Sequence, residues 1–396
     1  MSTPLVLFSH KLNQALCFPL FLNPVTWDNE TKQWIYGKHR LRLIARFFIS
    51  FGLIIPGVSF ICIMRFVANE LNPGTQSAKE QVAFLFTAAF ILYSLIVEVI
   101  LFKHGYEIAK LSSYQSQFER EQFQHTIEDH NVSVKGEMKR ILNGNIDPIG
   151  MFFVTFVTTI SISTILAPII LVFLDLDPLY FGLLGMSKST SIIGYHLDDI
   201  KWARFVLLCT IFGFQVETMR SCTLWFIGIV LLTQKNIRLT CQKPVGKQSL
   251  FLYCRLRVME AFAFTIDGDI SKLLFSTFFV TFITFTTVTV RGWMILSAYL
   301  VLFAAVGSIV TLALLMIGMN YVVNLYEISG AGIEKWKVEV GLMSTNKRYV
   351  TYLRKYLKSI KYISVPVGEI GIFDKDIKTN YFANTMDSTI NSLLAE

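Results

Sequence analysis

Apolar runs of bilayer length punctuate this chain from end to end, and they restrict it to very few architectures. About 20 apolar residues suffice to cross a bilayer as a helix. The sequence offers seven candidate stretches: 47–67, 82–102, 148–174, 205–233, 273–290, 293–321 and 373–394. Hydrocarbon cannot satisfy backbone N–H and C=O groups, so spans of this length fold as α-helices. Only 16% of the 396 residues are charged and 53% are hydrophobic, against the roughly 25% charged residues of soluble domains. The expected fold class is all-α and integral to a membrane, with seven transmembrane helices. The last stretch is the odd one. It carries Asp374, Lys375, Asp376, Lys378 and Asp387, so a hydropathy window passes over it.

Lys and Arg outside the spans are unevenly shared. The segment before the first span and the connections between spans two and three, four and five, and six and seven hold 6, 6, 7 and 8 of them. The opposite set holds far fewer. Positively charged connections resist translocation, which puts the N-terminus and the long connections in the cytoplasm and, after seven spans, the C-terminus outside. The net charge of +8 therefore reports orientation rather than a nucleic-acid partner. No cleavable signal peptide is apparent in the first 46 residues.

This divides the chain into a cytoplasmic N-terminal segment (1–46), six spans with long helical cytoplasmic loops at 103–147 and 234–272 (47–321), a basic cytoplasmic helical anchor region (322–367), and a seventh helix (368–396). In the anchor region Tyr349, Leu353, Tyr356, Leu357 and Ile360 form an apolar stripe beside Lys347, Arg348, Arg354, Lys355, Lys358 and Lys361. Such a stripe buries either against anionic lipid headgroups or in a cytoplasmic helical core.

Enzyme chemistry has no foothold here. Phosphate-loop, nucleophile-elbow, zincin and paired CxxC motifs are missing, so no catalytic residue, metal or cofactor is expected. The six cysteines read as packing thiols. His125 and His130, beside Glu128 and Asp129, read as a solvated charge patch. Within the fourth span Glu217 and Arg220 stand at i, i+3 and are expected to pair along one face. Glu98 is expected at headgroup level.

Two sets of residues point to function. On the last helix Asp376, Asn380, Asn384, Asp387 and Asn391 fall on one stripe, with Phe382, Met386, Thr389 and Leu393 opposite. A polar stripe in a membrane needs water or a partner. It lines an aqueous path ringed by four or so copies, or it belongs to a terminal amphipathic helix lying on the membrane or packed into the bundle. In the outer halves of the other spans Phe86, Phe90, Tyr93, Thr159, Ser163, Phe205, Phe212, Trp293 and Tyr299 supply aromatic and hydroxyl groups. These suit a pocket for a small, sparingly soluble organic ligand, or plain core packing.

The closing run Lys358-Ser359-Ile360-Lys361-Tyr362-Ile363-Ser364-Val365-Pro366-Val367-Gly368, with the polar helix that continues through Asp387-Ser388-Thr389-Ile390-Asn391-Ser392-Leu393-Leu394, resembles the arthropod gustatory and odorant receptor superfamily. The seven-span topology and the lead-in Pro24-Val25-Thr26-Trp27-Asp28 are similar to that family too. The sequence motif covers about the last forty residues. The gustatory signature of Thr-Tyr, five apolar residues and Gln-Phe is not intact, since Thr389-Ile390 runs into Asn391.

The resemblance implies a tetrameric ligand-gated cation channel, homomeric or with a co-receptor subunit, in the plasma membrane of sensory neurons. It implies a ligand held among the second, third, fourth and sixth spans, a bend near Gly368, and a gate at Ile390, Leu393 or Leu394. Asp387 and Asn391 would meet permeating ions. Two other classes compete. A G-protein-coupled receptor needs the opposite orientation and lacks its Asp-Arg-Tyr and Asn-Pro-x-x-Tyr motifs here. A small-solute transporter would show inverted repeats with broken helices.

Overall fold

The computed structural model describes residues 4–16, 24–28, 31, 33–37, 40–54, 78–123, 148–173, 201–294, 298–344, 347–367 and 371–394, with a few isolated positions between 56 and 66. The chain is predominantly helical and divides into two compact units, residues 3–106 with 131–224, and residues 1–2 and 107–130 with 225–396.

In the first unit, helix α1 (Pro4–Leu16) packs against α4 (Pro148–Phe173). A two-stranded hairpin follows, β1 (Val25–Asp28) antiparallel to β2 (Gln33–Tyr36), with Trp27 opposite Trp34. This strand pair departs from the all-α expectation. β-branched Val25 and Thr26 with aromatic Trp27, Trp34 and Tyr36 are strand formers, and Asp28 Oδ2 closes the turn by accepting from Thr31 N at 3.2 Å and Thr31 Oγ1 at 2.5 Å. His10 on α1 stacks on Trp27 at 4.3 Å and meets the edge of Trp34 at 5.3 Å, with Phe153 of α4 beyond. Burial of this imidazole lowers its pKa to about 3. Helix α3 (Ala78–Phe123) passes the hairpin at Gly105, where a Cβ would lie 2.7 Å from the Tyr36 ring.

The unit is also crossed by α2 (Arg40–Phe47), which runs into a π-helical turn at Phe48–Ile54, and by the first half of α5 (Lys201–Gln242).

The second unit is built on α6 (Lys247–Arg291) and α7 (Ala298–Leu342), of 45 residues each. At 1.5 Å per residue each is about 67 Å long, twice a hydrocarbon core. Each therefore joins an expected span to an expected loop in one uninterrupted rod, as the helical patterns in the loops foreshadow. Among the described residues, Gly268–Arg291 and Ala304–Leu342 are long and apolar enough to cross a membrane. The first four expected spans fall on segments whose side chains are only partly described. Gly292–Met294 forms a 3-10 turn and α7 begins at Ala298, so the sixth helix starts later than the expected 293.

Packing between rods is close where side chains are small. Gly332 of α7 lies against Cys241 of α5, where an added Cβ would come within 2.2 Å of Cys241 Sγ. Next to it Trp336 is fully buried, donates Nε1–H to the Lys243 carbonyl at 3.1 Å, and packs edge-on to Tyr253 of α6 at 5.8 Å. Helix α8 (Lys347–Ser359) lies along this core with Val350, Leu353 and Leu357 buried. The centre of its apolar stripe is thus covered by the chain itself.

Candidate functional site

The last helix hangs from an extended segment rather than from another helix. Residues 360–367 leave α8 without regular structure, and three buried side chains and one half-buried carboxylate on α6 and α7 take up their backbone groups. Tyr253 donates to Lys361 O at 3.3 Å; Ser329 Oγ donates to Ile363 O at 3.1 Å and accepts from Ile363 N at 3.0 Å. The Glu260 carboxylate accepts from Ser364 N at 2.8 Å, and Ser271 donates to Pro366 O at 2.7 Å. Non-helical backbone deep in a protein must find such partners. Burial pushes the Glu260 carboxyl up to about 7, against the pull of Ser364 N–H and Arg257.

The segment then turns back on itself. Val367 N donates to Gly371 O at 2.8 Å and Phe373 N to Val365 O at 2.9 Å, with Pro366 bridging Ile372. Gly371 has φ +142, which side-chain-bearing residues rarely adopt. Gly368, the expected bend, lies outside the described residues. Gly371 was not singled out from the sequence, although glycine before an Asp-capped helix is a legible turn signal. Phe373 is buried on Phe275 at 4.6 Å and anchors the turn.

Helix α9 (Lys375–Leu394) begins at Asp374, whose Oδ1 accepts from Ile377 N at 2.8 Å as an N-cap. Lys375 reaches Glu327 at 2.6 Å, and Lys378 donates to Asn320 of α7. Midway, Tyr381 packs on Phe275 and Phe279 and donates to Phe275 O at 2.5 Å. Near its C-terminal end Thr287 and Ser392 share a hydrogen bond at 2.9 Å, and Arg291 donates to Leu393 O from Nε at 3.2 Å and Nη2 at 2.5 Å. That carbonyl is among those left unpaired at a helix C-terminus, where a cation is favoured.

One side of α9 is thus tied to α7 at its first turns and to α6 from its middle to its end, and the other is bare. Thr385 and Thr389 are buried, while Asp376, Asn380, Asn384, Asp387 and Asn391 are all exposed. The bare arc is wider than the polar stripe. It takes in Ala383, Met386, Ile390 and Leu394, the last 73% exposed, whereas Leu393 is half-buried. Met386, expected on the packed face, sits on the open one. The packed face carries Tyr381, Phe382, Thr385, Thr389 and Ser392 instead, because hydroxyls can return to their own helix carbonyls, as Thr385 and Thr389 do at 2.7 Å.

The expected ligand residues come out unevenly. Phe205 is half-buried against Val172 and Leu208. Thr159 and Trp293 are exposed, Trp293 by 73%. The side chains of Phe86, Phe90, Tyr93, Ser163, Phe212 and Tyr299 lie outside the described residues, as do His125 and His130.

Two ion clusters occupy the interior of the first unit. Arg220 and Glu217 pair as expected, with Ser161 and Ser221 (to Glu217 Oε1, 3.0 Å) completing the set. Glu98, expected at headgroup level, is enclosed by protein. It is 1% exposed and takes both Nε and Nη2 of Arg46 (the Nε contact 3.0 Å), while Thr218 joins both partners at 2.7 and 2.8 Å. The Arg46 guanidinium also lies 4.8 Å over the Phe214 ring.

Solved structures with this fold exist. The insect olfactory receptor OR5 from Machilis hrabei in complex with eugenol superposes with a TM-score of 0.62 over 98% of this chain and 99% of that one, at 11% identity. A second structure of the same receptor superposes with a TM-score of 0.55, covering 98% and 97%, at 10% identity. No protein-family model matches the sequence, and no curated protein does. The chain therefore has the insect olfactory receptor fold, with nearly full-length coverage in both directions.

Proposed function

We propose that this chain is a subunit of a chemosensory, ligand-gated, non-selective cation channel in the plasma membrane. The observation that carries the reading is α9: one face fastened to α7 and α6, the other an open arc bearing Asp376, Asn380, Asn384, Asp387 and Asn391. A helix with such an arc is half of a contact. Four copies around an axis, all this chain or shared with a co-receptor, would turn the arcs toward a common water-filled path. Ile390 and Leu394 on the same arc, with Leu393 beside them, would form an apolar constriction near the outer end, and a bend near Gly368 would permit α9 to change pose.

The proposed topology has seven spans, the N-terminus inside and the C-terminus outside, in keeping with the Lys and Arg count. The OR5 structure holding eugenol supports a small organic molecule as the class of ligand. The aromatic and hydroxyl residues from Phe86 to Tyr299 are the proposed contacts. Ligand opens the path only by binding the open form more tightly.

Asp387 carboxylates brought close around an axis concentrate cations. Asp387→Asn is expected to lower the preference for cations over anions, read as a shift in reversal potential when external salt is replaced. An unshifted reversal potential in a conducting channel refutes that role. Orientation is checked separately. Glycosidase should leave mobility unchanged despite the sequons at Asn29 and Asn131, and a C-terminal tag should be reachable on intact cells. The opposite pattern would favour a G-protein-coupled receptor.

A further inference from the structure

A small cavity in the second unit lies behind the segment that carries α9. Its volume is about 20 Å3 and its polar lining is Gln115 of α3, Thr233 of α5, Glu260 of α6 and Ser364; the rest is aliphatic. Gln115 is 4% exposed, and its amide orientation follows from its neighbours. Thr233 Oγ1 gives its hydrogen to Ile229 O at 2.9 Å, so toward Gln115 it accepts, and Gln115 Nε2 donates to it at 2.6 Å. That leaves Gln115 Oε1 buried without a partner. A buried acceptor of this kind costs on the order of a hydrogen bond unless something donates to it.

The other polar group at the cavity is the Glu260 carboxyl. One of its oxygens, Oε1, is engaged by Ser364 N. A cavity of this size holds one water molecule, which needs two or more polar partners. We propose that the cavity is a proton- and water-binding site: a single ordered water bridges Gln115 Oε1 and the second oxygen of Glu260, and Glu260 holds a proton that it gives up as the pH rises.

In the protonated form Glu260 donates to the water, the water donates to Gln115 Oε1, and Oε1 of Glu260 still accepts from Ser364. Every group is satisfied without a buried charge. Loss of the proton leaves a carboxylate that one water must solvate, and the Ser364 segment is held on a charged and poorly hydrated group. The neighbouring charges do not remove this cost. Arg257 acts on Glu260 from the same helix, Tyr253 is the nearby phenol on that helix, and the cavity residues from α3, α5, α7 and 364–365 carry no charge. The burial that raises this carboxyl's affinity for its proton puts the transition near neutrality.

The test uses the full-length protein in detergent or nanodiscs and does not require it to conduct, so it stands apart from the channel reading. Thermal unfolding midpoints of the wild type and Glu260→Gln are compared from pH 4.5 to 8.5. The Gln amide keeps both contacts, accepting from Ser364 and donating to the water, but cannot ionise. The two proteins should unfold alike near pH 4.5, the wild type should fall several degrees below the variant as the pH rises to about 7, and the gap should level off above that. A difference that stays constant with pH, or a variant less stable throughout, overturns the proton site. Replacing sodium with choline at fixed ionic strength should leave the wild-type midpoint unchanged. Dependence on sodium would make the occupant a metal cation and overturn it as well. Density for one water between Gln115 and Glu260 is expected in a map that resolves solvent, and an empty position there refutes the bridge.

Discussion

Replacing Glu98 by Gln should be among the most damaging conservative changes in the chain. The carboxylate is 1% exposed and holds Arg46, whose side chain is likewise buried. Gln keeps the shape and one acceptor, so Thr218 and one Arg46 N–H can still be served, but the guanidinium loses its counter-charge. Removing one partner of a buried pair costs about 3–5 kcal/mol, because the survivor is an uncompensated charge. The Phe214 face does not offset this, since it interacts with Arg46 in both proteins. At 2–4 °C per kcal/mol for domains of this unit's size, the midpoint should fall by about 6–20 °C.

The double replacement Arg46→Met with Glu98→Leu removes both charges and refills the volume, and buried pairs exchanged in this way cost little or nothing. The cycle of Arg46→Met, Glu98→Leu and the two together should therefore be strongly non-additive, the double variant losing far less than the sum of the single losses. Size-exclusion thermal challenge of detergent-solubilised protein measures all four corners. Single variants that each lose less than about 1 kcal/mol, or a double variant equal to their sum, would refute the claim that these charges depend on each other.

Other expectations follow from packing and titration. Gly332→Ala places a methyl group against Cys241 and should cost about 1–3 kcal/mol as overpacking; adding Cys241→Gly should restore most of the thermal midpoint, and no rescue would relocate the strain. Tyr381→Phe removes a hydrogen bond to Phe275 O while keeping the ring contacts, so it should cost about 1 kcal/mol, visible as a small drop in midpoint and faster amide exchange in α9. His10 is neutral when folded, so its unfolded form binds the proton first: stability is complete above about pH 6.5 and falls as pH drops toward 3. At pH 5 the loss is about 2 kcal/mol. Proteolysis of the N-terminal helix and hairpin should accelerate at pH 5 in the wild type and much less in His10→Phe.

Local and periodic features were legible in the sequence. The amphipathic stripe of α8 identifies its buried face through Leu353 and Leu357, and Glu217 with Arg220 pairs at its own helical spacing. Features made by distant residues were not. Arg46 and Glu98 are 52 positions apart, and no periodicity links them, so Glu98 read as a headgroup residue. The irregular stretch 360–367 was absorbed into a helical anchor, because its partners Tyr253, Glu260, Ser271 and Ser329 lie on other helices. Strand formers around Trp27 and Trp34 are short enough to be lost beside long helical runs. On α9 the polar stripe was readable at 100° per residue, while Met386 went to the wrong side because hydroxyls rather than aliphatics make the packed face.

The fastening of α9 at both ends has a mechanical consequence. Lys375 and Lys378 tie its first turns to α7, and Thr287 and Arg291 tie its last turns to α6. A rod pinned in this way cannot slide like a piston or twist alone without breaking those ties. Whatever displaces it must drag α6 and α7 along, so the three helices form a single load-bearing plate. Force applied to the exposed flank of α6 at Val280 or Val290 is thereby delivered to the arc that bears Asp387.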